Sequence, residues 1–331
     1  MYHYLDMHCD TLMAGCFEKA DNVYSMPGKM NDAKRMHEAQ TLGQFFAVFF
    51  PPRPEDLPPQ ARSHAREMPD DDIYFEICRG TLVRTLEQYP DVIAQARNYD
   101  EIMANFNAGK QSAILTVEDG RAVNGSFDKL QYYYDVGVRA IALTWNFSNC
   151  FGHPNSKNPE IMNAGLTDFG KEAIGAMNDL GILIDVSHLS DGGFYDVVSL
   201  TKKPFVATHS NCRALSPHTR NLTDDMIRKL AEKGGVSGIN FGAGFLDADT
   251  SAQNSTVKLL ADHIQHFIKI GGEDCVGLGT DFDGIGGHLE IAQPTDMYLL
   301  FDELQRRGLS ERQIDKVASG NVLRVIKESM K

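Results

Sequence analysis

The stretch TDFGKEAIGAMNDLGILIDVSHLS, residues 167–190, carries the pattern on which the rest of the chain is built. Thr167 and Asp168 give a helix-start signal, apolar residues follow at helical spacing, and Gly181 closes the segment. An apolar, β-forming run, GILIDVS (181–187), comes next and ends against His188. Capped helix, glycine, strand and a polar residue at the strand's end is the repeat unit of a parallel sheet wound with helices.

Working outward, the same order recurs in LTDDMIRKLAEKGG (222–235), with acids in its first turn and bases in its last, and in STVKLLADHIQHFIKIGG (255–272). Apolar β-forming runs stand at 3–9, 43–50, 112–119, 138–145, 181–187, 203–210, 234–241 and 275–282. Their near-continuous apolar character fits strands buried on both faces. Eight such units predict an α/β chain folded as a (β/α)8 TIM barrel, since an open sheet would more often stop at about six strands. The unit between strands 2 and 3, residues 51–111, is an enlarged crossover. It begins with the proline-rich, charged PPRPEDLPPQARSHAREMPDD and continues with helices around 70–89 and 98–108. The proline-rich part, 51–69, shapes either the pocket or a dimer contact, and the sequence does not choose between them. Residues 294–330 read as two closing helices separated by GLSE. No composition shift marks a linker, so one barrel domain spanning 1–331 is expected.

A hydrophobic share of 42% supports a sizeable core, and a net charge of -13 argues against nucleic acid or an anionic membrane surface as partner. No apolar stretch reaches the length of a membrane span, and the first ten residues show no signal-peptide pattern. The six cysteines lack Cys-x-x-Cys spacing, which fits reduced thiols in a cytoplasmic protein.

A barrel gathers catalytic groups where its strands end. His8 and Asp10 end strand 1, Glu118 ends strand 3, His188 strand 5, His209 strand 6 and Asp281 strand 8. Side chains two apart on a strand point the same way, so His8 and Asp10 face the barrel and Cys9 packs behind them. Taken singly, a rim histidine is more often a structural hydrogen-bonding residue, and Glu118 or Asp281 could cap the next helix. Together, six imidazoles and carboxylates at one end of five strands are costly to bury unless a cation pairs them. Three imidazoles and two carboxylates suit zinc, with manganese or another divalent ion as a variant. A shared carboxylate would let two ions sit about 3.5–4 Å apart. Asp281 would then carry protons between the nucleophilic water and the leaving group, with Asp283 as its rival for that role. Asp6, which shares the parity of His8, supports the site or fills the barrel interior. Of the remaining histidines, His153 and His218 lie in rim loops. His263 and His266 read as surface or packing residues on a helix, and His3, His37, His64 and His288 have helix or loop settings.

These residues resemble the membrane dipeptidase (renal dipeptidase) family of binuclear zinc peptidases, within the metal-dependent hydrolase barrels. The likeness runs in order through DMHCDT, VEDG, IDVSHLS, ATHSN, RNLTDD, GLGTDFDG and SGNVLRV. It implies His8, Asp10 and Glu118 on one zinc, and Glu118, His188 and His209 on the other, with Glu118 bridging. Asp281 would be the acid/base, and Arg220 would hold the free carboxylate of a dipeptide; without the resemblance, Arg220 reads as a surface arginine ahead of a helix. A related branch bridges its metals through a lysine on strand 4, whereas VRAIALTW contains none. One departure concerns the histidine that animal relatives carry just after strand 4. Here LTWNFSN places Trp145 at that point, as in bacterial-type relatives, and Asn146 could supply a donor to substrate or oxyanion, or pack in the rim with Trp145.

The expected activity is hydrolysis of a dipeptide by metal-bridged hydroxide. Acceptance of a D-residue on the C-terminal side, and of β-lactam-like amides, is implied by the resemblance alone. Another amide or ester hydrolase on the same barrel, such as an N-acyl amino acid deacylase or lactonase, is the first alternative. A metal-retaining binding protein is the second, and the intact Asp281 argues against it. Apart from the dipeptide, a second copy of the chain in a homodimer is left open as partner.

Overall fold

Each of the eight apolar runs folds as a strand. In the computed structural model, which describes residues 2–60, 62, 67–249, 251 and 253–331, they are Leu5–Cys9 (β1), Gly43–Phe49 (β2), Gln111–Glu118 (β3) and Val138–Ala142 (β4), then Leu183–Asp185 (β5), Val206–Ala207 (β6), Val236–Ile239 (β7) and Val276–Leu278 (β8). Every strand pairs in parallel with its sequence neighbours, and β8 pairs with β1, closing a (β/α)8 barrel. The helix read from 167–181 spans Asp168–Leu180; the Thr167 hydroxyl accepts from the Gly170 N–H at 2.9 Å, and Gly181 ends it at φ +89°. Thr223 and Thr256 cap Asp224–Glu232 and Val257–Gly271 in the same way.

The lower barrel interior is filled by Leu5, Met7, Phe45, Ile114, Ala140, Leu183, Val206 and Val236. Val322, Val325 and Ile326 of the C-terminal helix Asn321–Ser329 join this cluster and plug the barrel from below. On β8 the interior position is Gly277, where a Cβ would stand 3.3 Å from both Met7 and Val236 side chains. Burial of each large aliphatic side chain is worth about 1.5–3 kcal/mol, so this apolar floor supports a polar rim.

The 51–111 crossover contains the expected helices, as Asp71–Gln88 and Tyr99–Asn107. It also contains a short strand, Ile93–Gln95, that the sequence pattern does not reveal. This strand pairs with Gln111–Ala113 of β3, below Leu115 where β4 takes over that edge. Three residues carry no readable alternation. The closing segment forms Tyr298–Arg306 and then Glu311–Asp315, which a π-helical turn at Lys316–Gly320 joins to the C-terminal helix. His64 lies outside the described residues.

One pair of contacts recurs at two strand junctions. Between β1 and β8, the Asp6 carboxylate accepts from the Thr280 N–H at 2.8 Å and the Thr280 hydroxyl at 2.7 Å. Between β5 and β6, Asp185 accepts from the Thr208 N–H at 2.9 Å and its hydroxyl at 2.5 Å. Each carboxylate takes up a backbone N–H near a strand end. Between β1 and β8 backbone bonds resume beyond it, from the Asp281 N–H to the His8 carbonyl and from the Asp10 N–H to the Phe282 carbonyl.

His263, expected at the surface or in packing, is fully buried. Its Nδ1 accepts from the Cys212 N–H at 3.0 Å and its Nε2 donates to the Leu246 carbonyl at 2.9 Å, tying the loops after β6 and β7 to the helix behind them. Burial lowers its pKa from 6.5 to about 4. The unfolded chain therefore takes up a proton near pH 6.5 that the folded chain refuses, and stability falls between pH 6.5 and about 4. In metal-stripped protein, the unfolding free energy of wild type relative to H263Q should decline by up to about 1.4 kcal/mol per pH unit through this window and stay level above it. A difference independent of pH would refute the neutral, bonded imidazole.

Candidate metal centre

The six candidate residues converge above the apolar floor, and all are buried. His8 lies in β1 with Asp10 one residue beyond it, and Glu118 is the last residue of β3. His188, His209 and Asp281 follow β5, β6 and β8 by two or three residues. The backbone enters the left-handed region at His188 (φ 68°) and Asp281 (φ 61°), turning both side chains inward just after their strands end. Gly284 permits the approach of two acids: a Cβ there would stand 2.0 Å from Asp10 Oδ2 and 2.5 Å from Asp281 Oδ1.

Glu118 is the hub. Its Oε1 lies 2.9 Å from His188 Nε2 and 3.3 Å from His209 Nε2, while Oε2 lies 3.3 Å from His8 Nε2. His8 Nε2 is also 3.6 Å from Asp10 Oδ1 and 3.9 Å from Asp281 Oδ1. Donor atoms fall into two overlapping triads, His8–Glu118–His209 and His8–Asp10–Asp281.

The surroundings fix which nitrogen points inward. The Thr208 hydroxyl donates to Asp185, so it accepts from His209 Nδ1 at 2.8 Å; Asn146 Oδ1 accepts from His188 Nδ1 at 3.1 Å. Both imidazoles thus direct Nε2 lone pairs at one another across 3.1 Å. Burial, followed by the charge of Arg220, pushes His188 down to about 3; burial and the charge of His8 hold His209 well below its usual value. Burial, the largest single influence, pulls His8 down too, but the charges and bonds of Glu118 and Asp10 together outweigh it and raise His8 well above the usual range. Asp10 is pushed up to about 6 by burial and the charge of Glu118. For Asp281, burial leads, the neighbouring acids add to it, and the value rises to about 8. Two imidazoles with facing lone pairs beside buried carboxylates offer a site for a cation among them. The buried His8 Nε2 and Asp10 Oδ1, which have no hydrogen-bond partner, agree. The donor set fits divalent metal.

Asp281 and Asp283 differ in their contacts. Asp283 accepts from the Thr11 hydroxyl at 2.6 Å and the Met30 N–H at 2.7 Å, a structural tie, while Asp281 Oδ1 faces the imidazoles. Asp6 braces Thr280 and does not join the donor set. His218 accepts the Arg220 N–H at 3.1 Å, and His153 Nδ1 meets the Ser148 hydroxyl at 2.9 Å; neither lines the cavity. Asn146 is exposed on the rim and orients His188, a role the sequence reading had not given it.

A cavity of about 260 Å³ opens over these groups. Its apolar walls include Met13, Phe49, Trp145, Phe245 and Ile285, and Trp145 stands edge-on to Phe49 with ring centroids 4.9 Å apart. Arg220, also in the wall, is no surface residue: its guanidinium is buried, donates to Ser210 Oγ at 3.1 Å and the His209 carbonyl at 3.2 Å, and leaves Nε unpartnered. Three further supporting residues, Asp185, Thr208 and Asn240, were invisible to sequence reading, because ordinary polar residues beside a ligand carry no spacing signal of their own.

Barrel, rim and donor set together define a metal-dependent hydrolase. Residues 2–331 match the family described as membrane dipeptidase (peptidase family M19), and the chain belongs to that family; it is a metallo-dipeptidase, a hydrolase of peptide bonds. An uncharacterized dipeptidase of Schizosaccharomyces pombe is 37% identical over 233 residues, covering 70% of this chain and 56% of the yeast one. The solved structure of a metallo peptidase named dipeptidase AC superposes with a TM-score of 0.88 at 27% identity, covering 99% of each chain. A Rhodobacter sphaeroides metallo peptidase, solved with a phosphinate mimic of the dipeptide L-Ala-D-Ala, gives 0.87 at 26% identity and the same coverage. Among the described residues no helix is long and apolar enough to cross a membrane.

Removing the Thr208 hydroxyl should free His209 Nδ1 from its brace. The variant T208V is expected to bind metal about 10–100-fold more weakly in chelator competition. Unchanged affinity would show that the brace does not orient the imidazole.

Proposed function

We propose that the chain is a binuclear zinc dipeptidase that selects dipeptides with a free C-terminal carboxylate. The observation that carries this reading is Arg220: a buried guanidinium in the cavity wall, bonded only to neutral oxygens and with Nε unpartnered. Such a group is costly to bury without an anion, and a carboxylate matches its fork. His8, Asp10, Glu118, His188 and His209 would hold the two ions. The division of Glu118, one oxygen toward His8 and the other toward His188 and His209, supports a bridging role. Three imidazoles among the ligands favour zinc over harder cations.

When bound, the metal pair supplies Lewis acidity to the scissile carbonyl and lowers the pKa of a water. The chain's own residues do the rest. Arg220 anchors the substrate carboxylate, while Phe49, Trp145, Phe245 and Ile285 exclude bulk water from the cavity. Asp281, among the acids and imidazoles, takes a proton from the attacking water and returns it to the departing amine. Acceptance of a D-residue on the C-terminal side is part of the proposal, supported by the L-Ala-D-Ala mimic held by the Rhodobacter sphaeroides protein.

The decisive assay is a substrate panel on zinc-loaded enzyme: L-Xaa-L-Xaa and L-Xaa-D-Xaa dipeptides, their C-terminal amides, N-acyl amino acids and lactones. Free dipeptides should turn over, and the amides should not. R220A should lose about 2–5 kcal/mol in kcat/KM on free dipeptides, on the order of 30-fold to several thousandfold. Preferred turnover of N-acyl amino acids or lactones, or an R220A enzyme equal to wild type, would replace this reading by the corresponding amidohydrolase.

A further inference from the structure

The two oxygens of Asp281 have unequal surroundings. Oδ1 faces His8 Nε2 at 3.9 Å, whereas Oδ2 accepts from Asn240 Nδ2 at 2.7 Å. Asn240 is itself held on every polar atom. Its Oδ1 accepts the Gly242 N–H at 2.7 Å, its backbone N–H donates to Asn211 Oδ1 at 2.8 Å, and its carbonyl accepts from Asn211 Nδ2 at 2.9 Å. The Gly242 N–H requires an acceptor, which fixes the amide orientation and leaves only Nδ2 to face Asp281. Asn240 is fully buried, just beyond the end of β7, and does not line the cavity.

We infer that Asn240 is a positioning residue that reserves Asp281 Oδ2 as an acceptor and confines the shuttled proton to Oδ1. The inference rests on the reading of Asp281 as the acid/base. An amide nitrogen can only donate, so Oδ2 must keep a lone pair toward it and a proton on Asp281 goes to the other oxygen. Oδ1 takes one proton from water as the water oxygen bonds to the carbonyl carbon. That proton passes to the amide nitrogen as the C–N bond breaks, and the carboxylate returns to its starting state. The second hydrogen of the water leaves with the new carboxyl group. A carboxylate free to rotate would present either oxygen to water and leaving group; the amide removes that freedom and leaves the acid one productive geometry.

The test uses zinc-loaded full-length enzyme and four variants: N240D, N240A, D281N and D281N/N240D. N240D keeps an acceptor for the Gly242 N–H but sets a carboxylate against Asp281 Oδ2. It should lower kcat about 100-fold or more while KM changes less than about threefold and metal content and melting temperature hold. N240A should lower kcat in the same direction. In the D281N background, N240D should cost nothing further, because the two residues act as one unit. Wild-type kcat in N240D beside an inactive D281N would overturn the inference alone. Loss of metal or of folded protein in both Asn240 variants would also overturn it, since Asn240 would then be structural. Full activity in D281N would instead overturn the role of Asp281.

Discussion

Everything at the rim of this barrel depends on one electrostatic constraint: the carboxylate of Glu118 is buried with three imidazoles against its two oxygens. A carboxylate so placed cannot rely on water, and burial alone would raise its pKa. His8, with the bonds to His188 and His209, instead holds Glu118 well below its usual range. Two further acids, Asp10 and Asp281, stand beside the same cluster. Such a collection is costly to bury unless a cation pairs it.

The scaffold meets this constraint by dividing the barrel along its axis. Below, aliphatic side chains and the C-terminal helix form a dry floor. Above, the later strands stop early, and side-chain braces add to their backbone bonds. Asp6 with Thr280 and Asp185 with Thr208 stitch two junctions beside the candidate ligands. The second brace continues into function, because the Thr208 hydroxyl that bonds Asp185 also orients His209. One hydroxyl there both braces the strand junction and orients the His209 imidazole.

The eight strands were legible as apolar, β-forming runs, and those at 183, 236 and 276 most clearly because each follows a capped helix and a glycine. The candidate metal-site residues His8, Asp10, Glu118, His188 and His209, and the candidate acid/base Asp281, could be picked out because they interrupt or follow those runs. What stayed hidden is what periodicity does not encode. The strand Ile93–Gln95 is too short to alternate. His263 lies on a helix whose pattern does not distinguish a buried tie from a packed face, and only its bonds to Cys212 and Leu246 reveal the tie. Arg220, assigned to the substrate carboxylate by the family resemblance and otherwise readable as a surface arginine ahead of a helix, is a buried cation bonded to the His209 carbonyl. Asn146, read as a donor to substrate or as rim packing, turns its carbonyl to His188. Asn240, in VSGINF, reads as the end of a strand and is the partner of Asp281.

The central claim is that Glu118 is shared between two metal ions. Metal-stripped protein titrated with zinc, with stoichiometry read by elemental analysis after gel filtration, tests it directly. Wild type should retain two ions per chain, and E118Q, which loses the shared anionic oxygen while keeping the side chain's shape, should fail to retain the pair. One ion in wild type, or two held by E118Q as tightly as by wild type, would contradict the account.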